Sequence, residues 1–554
     1  MYPSDLPKEY YTAEGTNPRA YFNPKYAASF VDVHLPSNRP FCDPPPTSAR
    51  ADTSLFTFPT RSFDYHTSAE RRRCITLGRS VEHASEILDA QNRQFLLSIS
   101  IAGRMVRFLR WDRSGAIVSE AFDCVERPEP LCLFLWRYAH LDDAGQGYGL
   151  PIEEATSEEK NLFSTVVREY AETHSVEIDA DGIDYQQGYV DVIKVHDQTD
   201  PKGYRRCLVS AHIASSAAVA SRATCGYWAV DTDTKEIGFL KDTWRSCGNG
   251  MVTEGEILQR LRKANVKNVP ELICHGDVGQ IPGVVDQRTR TNDYARCSWV
   301  CQPSRLAITP RVHYRMFITP AGQPLATFRD SKELLKCARD VYYAVSDAYH
   351  NLGLLHRDIS MNNIVIVRDE HKNPTAYLID WESSADVKPV DHPDRASLTG
   401  TWRYISTRLL AGGGEDRSPH HIYDDLESLL WVVLYAVLKY LPHEHGNETD
   451  TILRSVFDSC HGGFDGTPTG GDGKCLLLVA PNRVLSPSKI PNVTVREWSL
   501  DFRDVFYDRL VIKRLERGEG LPPETSTPER LPHMPHFDSF ENMTDVAQKV
   551  ARQL

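Results

Sequence analysis

Asp358 is the residue whose neighbours point most clearly to chemistry. It follows His356 and Arg357, and Asn363 stands five positions later, within the run LLHRDISMNNIVI at 354–366. An aspartate preceded by His-Arg and followed at that distance by asparagine suits the transfer of a phosphoryl group from a nucleotide. Such transfer needs phosphates held in line, metal ions over them, and a carboxylate aimed at the acceptor hydroxyl. Asp358 would orient that hydroxyl and take its proton, and the Asn363 amide oxygen would bind a metal. A second metal-binding carboxylate is expected at Asp380, after three apolar residues in YLIDWES, 22 residues beyond Asp358. Upstream, Lys241 closes the run IGFLKD and would pair with the α- and β-phosphates. Glu254, in TEGEILQRL, is placed to pair with Lys241; Glu256 is a rival on a different face of the same helix. Each residue also has a plainer reading: a turn-capping Asp358, a solvated strand-end Lys241, a turn-forming Asp380. Their joint order along the chain favours the chemical one.

These side chains need elements to carry them. SKELLKCARDVYYAVSDAYHNLG reads as a helix with Leu334, Leu335, Ala338, Val341, Tyr342, Val345 and Ala348 on one face, closed by Gly353. IVIV at 364–367 reads as the strand that fixes the loop after Asn363. From 176 to 330 strands dominate (VDVIKV, RRCLVSAHI, TCGYWAVD, IGFLKD, RVHYRMFI), with one helix near 252–264. From 331 to 514 helices take over. Residues 61–175 read as a smaller α+β unit. Two or three strands there turn at Ala102-Gly103 and Ser114-Gly115, PLCLFLWRYAHL forms a helix, and 143–160 is a loop leading into another helix. Trp111, Asp112 and Arg113 can make a simple turn with Gly115. Residues 1–60 read as loop-rich, and 515–554 as a Pro-rich tail.

The 554 residues, 41% hydrophobic and 25% charged, provide for several cored units. A net charge of −12 with no long basic block argues against a nucleic-acid partner; RRRC at 71–74 is too short to supply one. The longest apolar run, LLWVVLYAVL at 429–438, falls short of the roughly 20 residues that span a bilayer. It reads as a buried helix, and no membrane partner is expected. The N-terminus has no apolar core like that of a signal peptide, so an intracellular location, cytoplasmic or nuclear, is expected. The 13 cysteines lack a framework, and Cys297 and Cys301 have no second pair, which suits reduced thiols better than a zinc site. His443, His445, His420 and His421 read as surface polar residues.

HRDIS followed by NNI, LIDWE, TGTWRYISTRLL at 399–410 and YDDLESLLWVVLY at 423–435 together resemble the fungal-type protein kinases. RWDRSGAIVSEAFD at 110–123 is similar to that family's accessory region, and the resemblance spans roughly 60–510. It implies an α+β, bilobal protein-kinase fold, with a β-rich N-lobe, a helical C-lobe and a small α+β accessory domain in front. It implies ATP and Mg2+ as cofactors and protein hydroxyls as acceptors. The catalytic residues would then be His356, Arg357, Asp358, Ser360 and Thr401. Lys241, Glu254 and a phosphate loop containing Ser221, Ala223 and Gly226 would bind nucleotide, and Asn363 and Asp380 the metal.

Several positions depart from the common kinase pattern. Ser221 and Ala223 stand where glycines are expected and lack glycine's φ freedom. Trp381 and Glu382 follow Asp380, so the usual glycine is replaced. Ser360 occupies the place of a phosphate-contacting lysine, a tyrosine-kinase spelling. Thr401 resembles the threonine that hydrogen-bonds the catalytic aspartate in serine/threonine kinases, and the balance favours Ser/Thr. Ser406-Thr407-Arg408 replaces Ala-Pro-Glu, so that motif's buried Glu–Arg pair is absent or rebuilt. Asp425 either supports the catalytic loop or caps its helix. Arg357 would pair with a phosphorylated Ser397 or Thr399, or with Asp386, Asp391 or Asp394. A pseudokinase scaffold, or a small-molecule phosphotransferase of the aminoglycoside or choline kinase type, are the competing readings. The sequence names neither a substrate nor an oligomeric state.

Overall fold

Alternating apolar residues from Phe95 onward fold as antiparallel strands. The computed structural model describes residues 23–41, 67–91, 93–149, 152–176, 189–210, 219–248, 251–295, 297, 300, 308–387, 399–411, 419–462 and 468–516. The chain forms two compact units: Met1–Glu169, Glu177–Met251 and Leu272–Thr319 make the first, and Tyr170–Val176, Val252–Glu271 and Pro320–Leu554 the second.

The first elements are β1 (Phe30–His34), α1 (Ser68–Ala90), β2 (Phe95–Ala102), β3 (Met105–Asp112), β4 (Gly115–Val118) and β5 (Phe122–Asp123). Their sheet has the order β1-β2-β3-β4, with β5 also on β3. The expected turns at Gly103 and Gly115 fall between strands, and both glycines have positive φ. β1 lies where the sequence suggests only loop. It pairs parallel with β2, and Phe30 enters a core with Ile87, Leu88, Leu96 and Trp111. Pairing along its whole length with β2, and burial of Phe30, make FVDVH a strand. α2 (Glu129–Ala139) matches the expected helix.

β6 (Ile152–Glu154), α3 (Ser157–His174), β7 (Asp191–His196), β8 (Tyr204–Val209), β9 (Cys225–Asp231), β10 (Ile237–Ser246), α4 (Glu254–Lys263), β11 (Glu271–Asp277), α5 (Thr291–Tyr294) and β12 (Arg311–Thr319) follow. The strands build a seven-stranded sheet ordered β11-β12-β10-β9-β8-β7-β6. β6 and β11 are additions: the first sits in the expected loop 143–160, and the second, ELICHGD, alternates too weakly to be read alone. Ile193, Val195, Cys207, Tyr227, Ala229, Leu240 and Phe317 form a core against the sheet. Asp242, on the Leu240 side of β10, accepts from Arg315 Nε at 2.9 Å and contacts His313 Nε2.

The WDRSG turn does more than reverse the chain. Asp112, fully buried, accepts the N–H of Ser114 (2.9 Å) to make the turn. It also accepts those of Arg290 (2.9 Å) and Thr291 (3.0 Å). The Ser114 hydroxyl donates to Thr309 O at 2.7 Å. The small sheet is thereby tied to the segment that precedes β12, within one unit.

The second unit contains α4, β13 (Gln323–Pro324), α6 (Ser331–Leu352), β14 (Leu354–Leu355), β15 (Ile364–Arg368), β16 (Pro374–Leu378), β17 (Ala385–Asp386), α7 (Thr407–Ala411) and α8 (Ile422–Tyr440). It ends with α9 (Thr449–Leu453), β18 (Cys460–Gly462), β19 (Pro468–Gly470), α10 (Asp472–Val479), α11 (Asn482–Leu485) and α12 (Val493–Glu516). Asp330 caps α6 by accepting the Glu333 N–H (2.8 Å), and Gly353 (φ 62°) closes it. The expected apolar face is buried throughout. α8 buries the run 429–438 except Tyr435, and among the described residues no helix is long and apolar enough to cross a membrane. Two of the histidines read as surface groups are structural. His445 is buried with its ring on Val484 O (3.0 Å), and His420 donates to Asp425 (3.0 Å). The Pro-rich tail beyond Glu516 lies outside the described residues, as does Cys301.

Candidate active site

The loop that carries Asp358 is held by one carboxylate. Asp425, buried in the first turn of α8, accepts the N–H of His356 (2.8 Å) and of Arg357 (2.9 Å), besides the His420 ring. Arg357 has φ 71°, a left-handed conformation that costs a non-glycine residue about 1–2 kcal/mol. The paired N–H contacts hold it there. Capping of α8 falls to the neighbouring Asp424, which accepts the His421 N–H at 2.7 Å. The two expected roles of Asp425 are thus divided between adjacent aspartates.

His356 is buried, and both its nitrogens are used: Nε2 donates to Ile379 O (3.0 Å) and Nδ1 accepts the Asp358 N–H (3.3 Å). Its ring meets Trp381 edge-on, with centroids 4.7 Å apart. It therefore joins the loop to the strand that delivers Asp380. Asp358 Oδ1 accepts both the N–H and the hydroxyl of Thr401, each at 2.8 Å. Among the described residues Oδ2 takes no hydrogen bond. Asn363 donates Nδ2 to Asp358 O (2.8 Å) and its N–H to Ser360 O (3.1 Å), so its amide oxygen is turned away from the loop backbone. Ser360 is buried and closes this turn.

Asp380 follows β16 with φ 62°. Carboxylate oxygens of Glu254, Asp380 and Glu382 lie within 4.8 Å of one another. Glu254 is buried and accepts the Trp381 N–H at 3.0 Å, whereas Glu256 is exposed and forms a capping box with Thr253. That settles which glutamate faces inward. The fully buried Trp381 ring donates to Leu378 O (2.9 Å). The carboxylate oxygens of Glu254, Asp380 and Glu382 make an all-oxygen donor set, which suits a hard cation such as Mg2+.

In the first unit, Lys241 is buried on β10, in register with Gly226 of β9 and Met316 of β12. Gly226 is needed for packing: a Cβ there would lie 2.3 Å from the Phe239 ring. Ser221 Oγ accepts the Ala223 N–H (3.1 Å), and Ala223 has φ 42°. The turn expected to suffer from the loss of glycine is thus left-handed at an alanine. The segment continues along β10, with Trp244 N–H donating to Arg222 O at 2.7 Å. Residues 211–218, which follow β8 in the sequence, lie outside the described residues.

The Fungal protein kinase family model matches residues 64–437, more than half of the chain. The chain belongs to this family. A serine/threonine-protein kinase of Caenorhabditis elegans, zyg-8, is 24% identical over 186 residues, which is 32% of this chain and 21% of that protein. The chain therefore spans about a fifth of that relative's length.

One feature of this kinase-family chain was missed in its sequence. Glu382 reads as a lost glycine, yet it joins the acidic cluster. An Asp-x-Glu spacing at a strand end is the signal that could have shown it. At Ser406-Thr407-Arg408, where an ion pair is expected to be absent or rebuilt, Arg408 pairs with Asp424 of α8, which also accepts the Ser406 hydroxyl at 2.6 Å. Arg357 Nη2 donates to the Thr399 hydroxyl at 2.8 Å. Asp386, one of its expected partners, pairs with Arg260 at 2.6 Å, and Asp391, Asp394 and Ser397 lie outside the described residues.

Proposed function

We propose that this chain is an ATP-dependent protein kinase that transfers the γ-phosphoryl group to protein hydroxyls, with serine and threonine preferred over tyrosine. The observation that carries the reading is the Thr401–Asp358 pair. Two donors on Oδ1 fix the carboxylate plane and leave Oδ2 to accept the acceptor's proton. His356 and Asp425 keep the loop in that pose. Asn363 and Asp380, with Glu382 beside them, would hold magnesium, which when bound neutralises charge on the phosphates. Lys241, and backbone near Ser221 and Ala223, would serve the α- and β-phosphates, and Gly226 leaves room for the Phe239 ring beside them.

The two units, one sheet-rich and one helical, fit the N-lobe and C-lobe of a bilobal kinase in content. The Ser/Thr preference rests on Thr401 and on the named activity of the nematode relative. The long stretch of sequence between Asp380 and the GTWRY run at 400–404 favours a protein acceptor over an amino-sugar or choline.

The test is transfer from Mg-ATP to a mixed peptide library holding serine, threonine and tyrosine acceptors. The expected product is phosphoserine or phosphothreonine. Asp358→Ala should lower the rate by roughly 10²–10⁴-fold. Equal rates for wild type and variant would refute the assignment, and phosphotyrosine alone would reverse the acceptor preference.

A further inference from the structure

The run Thr401–Arg408 is fastened residue by residue within the second unit. Thr401 holds Asp358, Trp402 Nε1 donates to Ser459 O (3.2 Å), Arg403 pairs with Asp458 (2.6 Å), and Tyr404 meets Tyr435 edge-on. Its last part is gripped by two buried polar side chains. Lys474, at 0% exposure, donates Nζ to Ile405 O at 2.6 Å. Glu427 of α8, also buried, accepts the Thr407 N–H at 2.7 Å and Trp431 Nε1 at 3.0 Å through one oxygen. Lys474 Nζ lies 5.4 Å from the Trp431 ring centre. Two opposite charges thus hold a carbonyl and an N–H two residues apart, independently of the side chains between them.

The glycines in GGDGK bring Lys474 into reach. A Cβ at Gly470 would lie 2.8 Å from the Trp402 ring, and one at Gly473 would lie 2.1 Å from Ser455 O. The missing side chains let the start of α10 approach Trp402 at Gly470 and the Ser455 backbone at Gly473.

We propose that Lys474 and Glu427 clamp the backbone of Ile405–Thr407 and act as positioning residues for phosphoryl transfer, by fixing Thr401 and through it Asp358. This rests on the kinase reading of the Asp358 site. The pair is a poor device for stability alone. The amine has one hydrogen bond among the described residues, and burial is costly for an ammonium so placed. Burial pushes its pKa down to about 7 and raises that of Glu427. An apolar side chain of similar length would fill the site at no greater cost. What it would lose is the directed hold on Ile405 O.

The experiment compares full-length wild type with Lys474→Met, and with Lys474→Gln should the first not fold. Backbone amide exchange at 401–408 is read beside peptide and ATP kinetics. The clamp requires at least about tenfold faster exchange in that run, a fall of about tenfold or more in kcat/KM for peptide, and an unchanged KM for ATP. Unchanged exchange overturns the clamp, whatever the activity. Faster exchange with unchanged kcat/KM overturns the positioning role. A wild type that transfers no phosphate counts against the kinase reading and against positioning for transfer, while exchange alone then decides the clamp.

Discussion

Replacing Asp425 by alanine should dismantle the catalytic loop before it disturbs the helix that carries it. The carboxylate accepts two consecutive buried N–H groups, of His356 and Arg357, and the His420 ring. Each buried donor left unpaired costs about 1–3 kcal/mol. Relaxation of the left-handed Arg357 returns about 1–2 kcal/mol. At the middle of these ranges the two N–H groups lose about 4 kcal/mol and about 1.5 is returned, a net loss of about 2.5 kcal/mol for the second unit. At about 2–4 °C per kcal/mol for a unit of this size, the midpoint should fall by about 5–10 °C. α8 keeps its own cap through Asp424 and His421, so far-UV circular dichroism at 25 °C should match wild type. Asp425→Asn puts an amide where two donors already point, and should cost roughly half as much. Thermal denaturation gives the first number, and amide exchange at His356 and Arg357 gives the second. A variant melting within about 2 °C of wild type, with both amides still protected, would refute the assignment of this carboxylate to the loop.

Gly400→Ala should disturb the same site from the other side. Gly400 has φ 115°, and a Cβ there would lie 2.9 Å from Arg357 O, a backbone atom that cannot swing away. The expected cost is about 1–3 kcal/mol, with transfer falling more than stability because Thr401 is the next residue; a kinetic assay beside a melting curve separates the two. A third test uses pH on the first unit. Burial opposes the charged form of Asp242, but His313 and Arg315 outweigh it and hold its pKa below the usual carboxylate range. A depressed folded pKa contributes stability above the unfolded value, near 3.8, and that stability is lost as pH falls below it. Urea unfolding should show wild type losing stability from about pH 4 downward. Asp242→Asn should lack that share of the slope and be weaker by about 3–5 kcal/mol at pH 7; an unchanged acid slope would contradict the network.

Membership of the kinase family was legible because the order of the candidate residues along the chain is itself the signal. The same holds for the long helix α6, whose seven-residue apolar stripe and closing glycine are local facts. What could not be read locally were choices between equivalent neighbours. Glu254 and Glu256 differ only in that Thr253 precedes both and captures Glu256 in a capping box, which leaves Glu254 to turn inward. Asp424 and Asp425 differ in the same way, with His421 recruiting Asp424 as its cap. In each case a capping interaction worth about 1 kcal/mol decides which carboxylate is released for the site. β1 and β11 escaped notice for another reason. Their strand character comes from pairing with segments distant in sequence, which five or seven residues cannot announce.

The departures from the common kinase spelling follow the same logic. A glycine is replaced by Ala223, and the backbone still adopts φ 42° because Ser221 accepts its N–H. A buried Glu–Arg pair is replaced by one of inverted polarity, with the base Arg408 on the run and the acid Asp424 on α8. Such exchange is physically permitted because an ion pair between two fixed elements has the same Coulomb energy whichever element carries which sign. The surroundings must still satisfy the remaining donors and acceptors. Here Ser406 supplies Asp424 with a further donor, and Pro419 O takes Arg408 Nη2 at 2.9 Å. Lys474 and Glu427 continue the same pattern of polar fastening. If the run before Arg408 needed only to be buried, apolar contacts would suffice. A buried lysine and glutamate, each bonded to its backbone, fit a segment that must be held at a set position for Thr401 to reach Asp358.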